Sequence, residues 1–88
     1  MDVRRTEPAA QDLENISRHI RRENPAAALR IVRELYDRAM SLETLPARGR
    51  VGRIAGTREL VFNPYIIVYG VTEAVEILRL HHTAQDRP

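Results

Sequence analysis

Apolar residues recur at Ala9, Leu13, Ile16 and Ile20, in steps of four, three and four that keep one face of a helix. Asp12, Glu14, Arg18, Arg21 and Arg22 fall between them and are expected on the outer surface. Thr6 is placed to cap this helix, and Pro8 suits its first turn. Ahead of it, a short edge strand is expected around Val3. Asn24-Pro25 marks a break, because the residue before a proline avoids the helical region while proline itself starts a helix well. Asn24 is the natural cap of a second helix from Pro25 to about Leu45. Ala28, Ile31, Val32, Leu35, Ala39 and Leu42 form its main stripe. Leu29, Tyr36 and Met40 form an adjacent stripe, so the apolar arc is wider than one sheet contact requires. That arc fits a helix buried on both flanks, or a groove awaiting another chain's helix or strand. The short connection at 23–24 makes the two helices an antiparallel hairpin.

The second half changes period. Residues 46–53 hold two glycines and no helical repeat, and read as a turn leading into a strand or loop. Three apolar runs follow, at 58–62, 65–71 and 75–82, the middle one rich in β-branched and aromatic residues as a central strand would be. Asn63-Pro64 and residues 72–74 are tight turns, which makes the three runs an antiparallel meander. One face of such a sheet must bury itself on the helical hairpin. In the last run, alternation sets Val75, Ile77, Arg79 and His81 against Glu76, Leu78, Leu80 and His82. Neither set is cleanly apolar. The Leu78/Leu80 side is expected to meet the helices, leaving Arg79 and His81 on the open face; the Val75/Ile77 side is the competing choice. The predicted fold is therefore α+β: a helical hairpin packed on a small three- to four-stranded antiparallel sheet, forming a single domain over 1–88.

Composition narrows the function. The chain has 88 residues, 43% hydrophobic and 30% charged, the balance of a globular domain. A chain this short buries only ~60–65% of its unfolded surface, so its stability is marginal or shared with a partner. It has no cysteine, hence no disulfide framework and no thiolate metal site. No apolar run reaches the ~18 residues of a membrane span, and residues 1–7 are charged, so the cytoplasm is the expected compartment. All 14 basic residues are arginine. Four of them, Arg48, Arg50, Arg53 and Arg58, lie in a stretch without an acid, which points to a local basic patch on a chain of otherwise mixed charge.

Candidate chemistry is sparse. Adjacent His81 and His82 point to opposite faces of a strand and cannot hold one metal ion, and His19 stands alone among arginines. Neither a metal nor a cofactor is expected. One catalytic arrangement is physically open: His81 as an acid–base group beside Arg79 and Arg58, with the arginines stabilising a phosphorane while RNA supplies its own 2′-hydroxyl as nucleophile.

In order and spacing, the chain resembles the RelE/ParE superfamily of bacterial toxins. The resemblance is carried by Ala9…Asp12-Leu13…Ile16, Leu45-Pro46…Gly49-Arg50…Gly52-Arg53, Gly56-Thr57-Arg58-Glu59-Leu60-Val61, Tyr65-Ile66-Ile67-Val68-Tyr69, and Ile77-Leu78-Arg79-Leu80-His81, with Pro88 closing the tail. It implies the toxin of a type II toxin–antitoxin module of the plasmid-stabilisation kind, neutralised by a cognate antitoxin protein. RelE-like members are ribosome-dependent mRNA endonucleases with basic residues on the second strand, an Arg directly after the first Tyr of the central strand, and a Tyr or His–Tyr near the C-terminus. ParE-like members poison DNA gyrase and lack that set. Here Ile66 follows Tyr65, His82 follows His81, Arg58 matches one basic position and Leu60 occupies the other. The resemblance therefore leans to the ParE-like side, with gyrase as the expected target and ribosome-bound mRNA as the alternative. The basic segment at Arg48, Arg50, Arg53 and Arg58 is the expected toxicity surface, directed at a polyanion. Leu29, Tyr36 and Met40 are the expected antitoxin contacts.

Overall fold

The computed structural model describes residues 1–83. Its elements run β1 (Val3–Arg5), α1 (Glu7–Arg21), α2 (Pro25–Met40), β2 (Arg50–Val51), β3 (Thr57–Phe62), β4 (Tyr65–Val71) and β5 (Val75–His82). Both helices start where their caps require. Thr6 Oγ1 accepts the Ala9 N–H and Asn24 Oδ1 accepts the Ala27 N–H, each with proline in the first turn. The second helix stops at Met40, short of the expected Leu45, and tightens into a 3-10 turn over Ser41–Glu43. Ser41 Oγ back-bonds the Arg38 carbonyl at 2.6 Å, a local competitor of the helical ladder. The polar tail expected at the C-terminus lies, from residue 84 on, outside the described residues.

The sheet has five strands in the order β1-β5-β4-β3-β2, more than the three or four expected. β1 is the edge strand expected around Val3, and the strand beyond those expected is β2, at the opposite edge. β2 is two residues long, pairing Arg50 with Glu59 and Val51 with Arg58. β1 pairs with β5 in parallel, Val3 to Val75 through Arg5 to Ile77, so the sheet is not purely antiparallel. The three expected meander strands match closely, with β3 and β4 joined through Asn63-Pro64 in the cis form.

The choice between the two faces of β5 is resolved by a β-bulge. Tyr69 pairs with Ile77 and Val68 with Arg79, which leaves Leu78 as the extra residue. A bulge resets the alternation by one. Val75 and Ile77 face the helices before it, and Leu80 does so after it. The expectation of Leu78 and Leu80 on the helical side is thus half corrected. Leu80 is in the core, whereas Leu78 is half-buried, with its Cδ1 near the position a Cβ on Gly70 would take. The core gathers Leu35 and Leu42 against Leu60, Ile67 and Tyr69, with Leu13, Ile16 and Ile20 of α1 packed at its margin. The main stripe of α2 is turned inward as its spacing predicts.

Candidate functional site

The residues of interest divide among three places. On the open face of the sheet, Arg53, Ile54, Glu59, Val68, Arg79 and His81 border a pocket of about 370 Å³. Glu59 is only 6% exposed here, and its partners explain how a buried carboxylate is held. Arg50 approaches Oε1 through Nε at 2.9 Å and Nη2 at 2.7 Å, while the Arg53 backbone N–H reaches Oε2 at 3.4 Å. The basic segment, free of acids in sequence, therefore folds around one.

The other arginines of that segment are also engaged. Arg48 Nη1 donates to Ser41 Oγ at 2.8 Å. Arg58 Nη1 donates to the Gly49 carbonyl at 2.8 Å. The loop at 46–49 is gripped from below by Tyr69, fully buried, whose hydroxyl accepts the Gly49 N–H and donates to the Pro46 carbonyl, both at 2.8 Å. A Cβ on Gly49 would lie 2.7 Å from that hydroxyl and 2.8 Å from the Glu59 carbonyl oxygen, so only glycine fits the approach.

Arg58, Arg79 and His81 do not come together. The register pairs Arg58 with Tyr69, on the helix-facing side, whereas Arg79 and His81 pair with Val68 and Ile66 on the open side. Arg79 is committed elsewhere. Its Nε and Nη2 donate to Asp12 at 2.7 and 3.1 Å, and the same carboxylate accepts the Leu80 N–H at 3.0 Å. Asp12, expected on the outer surface, is only 14% exposed at its side chain. It lies three residues from Ala9 and four from Ile16, on the helix's own apolar stripe, and that spacing is the signal that should have flagged it. Burial raises its pKa, but the Arg79 and Leu80 hydrogen bonds and the charges of Arg79 and His81 outweigh this and hold it below the ordinary value. His82 projects to the other face, edge-on to Tyr65 with ring centroids 5.6 Å apart. Burial pushes the Tyr65 hydroxyl above its ordinary pKa. Among the described residues, no three His, Asp or Glu side chains group as metal ligands would, and no helix is long and apolar enough to cross a membrane.

The third place is a groove of about 320 Å³ between β1 and the helical hairpin. Val3 and Arg5 of β1, Leu13 of α1, and Leu35, Tyr36 and Met40 of α2 are among the residues that line it. Tyr36, 60% exposed, and the half-buried Met40 are thus both at this groove, as the second stripe of α2 implied. Leu29, 66% exposed near the start of α2, does not line it. The missed participants are Glu59, Tyr69 and Gly49, which lie within the segments that carry the resemblance but were not singled out; each acts through a partner distant in sequence.

Known proteins share this fold. The family model of the ParE toxin of the type II toxin–antitoxin system parDE matches residues 3–87. The candidate toxin Y4kP of Sinorhizobium fredii (strain NBRC 101917 / NGR234) is 41% identical over 88 residues, covering 98% of this chain and 92% of that protein. A chain of the solved chromosomal ParDE system of P. aeruginosa superposes with a TM-score of 0.86 at 26% identity, over 93% of this chain and 95% of that one. A chain of the toxin–antitoxin complex RelBE2 of Mycobacterium tuberculosis superposes with a TM-score of 0.71 at 27% identity, over 92% and 88% of the two chains. With the family match spanning residues 3–87 and a 41%-identical relative covering 98% of it, the chain belongs to the ParE toxin family of type II toxin–antitoxin systems.

Proposed function

We propose that this toxin arrests growth by inhibiting DNA gyrase, not by cleaving mRNA, and that a cognate antitoxin silences it from the groove between β1 and α2. The observation that carries the target is the separation of Arg58 from His81 and Arg79 on opposite faces of the sheet. An endonuclease needs its general acid and its charge-stabilising groups around one phosphate. Here Arg79 is already paired with Asp12, and Ile66, 3% exposed, gives the central strand no cation at that position. The antitoxin is supported by the two solved relatives, whose descriptions name toxin–antitoxin systems, and by the apolar groove itself.

The deciding experiment assays supercoiling by purified gyrase and ribosome-dependent mRNA cleavage in parallel, with the wild-type chain and His81→Ala. The expected result is inhibition of supercoiling by both proteins and cleavage by neither. Loss of a catalytic group lowers a rate by about 100-fold or more. Codon-phased cuts that disappear in His81→Ala would establish the endonuclease instead.

A further inference from the structure

The groove between β1 and the helical hairpin is apolar inside and bordered by cations that the fold does not use. Strand alternation sets Arg5 on the same side of β1 as Val3, which packs against the core, so Arg5 stands on the groove side of the strand. It lines the groove and is exposed, and its guanidinium makes no hydrogen bond or ion pair within the described residues. On α2, Leu29, Arg33, Tyr36 and Met40 recur at steps of four, three and four and form one ridge, of which Tyr36 and Met40 line the groove. Arg33 is exposed in the middle of that ridge. Its guanidinium is likewise unpaired within the described residues, although Asp37 follows one turn later. Other arginines are committed: Arg18 and Arg21 share Glu14, Arg50 holds Glu59, and Arg79 holds Asp12. Among the described residues, no acid lines the groove.

These properties select the occupant. An apolar cavity of about 320 Å³ takes side chains and gains nothing from a phosphate backbone. A second copy of this chain is a poor fit, because a two-fold contact on the ridge sets like charge against like charge. The matching surface is a protein segment that is apolar where it turns into the groove and acidic along its margins.

We propose that Arg5 and Arg33 select the antitoxin by holding carboxylates at the margins of the segment whose apolar side chains fill the groove. This rests on the placing of the antitoxin in that groove, and the experiment separates the two. Association and dissociation of the purified product of the gene paired with the toxin's are followed at two salt concentrations. Four toxins are compared: the wild type, Arg5→Glu/Arg33→Glu, Tyr36→Glu/Met40→Glu, and Arg22→Glu/Arg30→Glu. Arg22 and Arg30 are also exposed and unpaired within the described residues but lie outside the groove and off the ridge, so their reversal changes net charge equally. Reversal of Arg5 and Arg33 should slow association about tenfold or more at low salt and flatten its salt dependence, with the melting temperature of the wild type. Reversal of Arg22 and Arg30 should slow it far less. An antitoxin with one carboxylate changed to arginine should regain association with the Arg5→Glu/Arg33→Glu toxin. Equal slowing by both arginine pairs overturns the proposal, since net charge then accounts for everything. Unchanged association of Arg5→Glu/Arg33→Glu, with binding lost in Tyr36→Glu/Met40→Glu, also overturns it but leaves the antitoxin in the groove. Normal binding by both refutes the groove itself, and the proposal with it. Should the charge-reversed toxin melt lower, Arg5→Gln/Arg33→Gln is measured in its place, and association as fast as the wild type's again refutes the proposal.

Discussion

Asp12 joins two elements with one carboxylate. β1 covers β5 only as far as Ile77. Beyond that point α1 closes the edge, with Thr6 Oγ1 donating to the Ile77 and Leu78 carbonyls and Asp12 accepting from Leu80 and Arg79. Because these partners hold the Asp12 pKa below 3.8, its contribution to stability is present above that value and is lost as pH falls through the lower, folded-state pKa. Asp12→Asn keeps the shape and removes the charge. Arg79 is half exposed, so its share is screened, and the expected loss at neutral pH is about 1–2 kcal/mol. Urea unfolding of both proteins at pH 7 and at about pH 3 checks the sign, since the gap must shrink in acid. A gap independent of pH would place the effect in packing.

At the scale of elements, the bulge in β5 governs which side chains the sheet buries. Leu78 is supernumerary, so its deletion leaves Ile77 opposite Tyr69 and Arg79 opposite Val68. That variant should fold, weakened by about 1–2 kcal/mol for the half-buried side chain removed. Deleting Leu80 instead moves His81 into the slot opposite Ile67, and a register error of one turns a polar group inward. It should fail to give a cooperative thermal transition, a contrast that melting curves of the two deletions would show. The same bulge explains what the sequence disclosed and what it withheld. Helix starts at Thr6 and Asn24, the turns, and the strand over 75–82 are legible because their signals are local. The bulge is not, since Val75-Glu76-Ile77-Leu78-Arg79-Leu80 carries no glycine or proline to mark it. β2 escaped for a similar reason: two residues cannot show a period. At the candidate site, Tyr36 and Met40 were legible from helical spacing. The ties of Arg50 to Glu59 and Gly49 to Tyr69 were not, because they depend on register.

For the molecule as a whole, the two edges of the sheet carry different surfaces. The β1 edge borders the apolar groove, and the β2 edge bears the arginine-flanked hairpin. An antitoxin in the groove would bury apolar surface that a small core leaves uncovered, and would stabilise the toxin by mass action. Tyr36→Glu with Met40→Glu should therefore weaken a purified toxin–antitoxin complex by about 30-fold or more, the scale of losing an interface hot spot. Calorimetric titration measures it, with the melting temperature of free toxin as the control for folding. Unchanged affinity in a folded variant would move the antitoxin to another face. The parallel pairing of β1 with β5 also sets a timetable. Residues 3–5 remain without their neighbours until 75–77 have been made, and Thr6, the cap of α1, waits for the same stretch. Contacts this distant in sequence close last. On a translating ribosome, the nascent chain thus has no finished sheet to act with until residues 75–77 have been made. An antitoxin docking beside β1 would accordingly find its groove complete only once that distant pairing has formed.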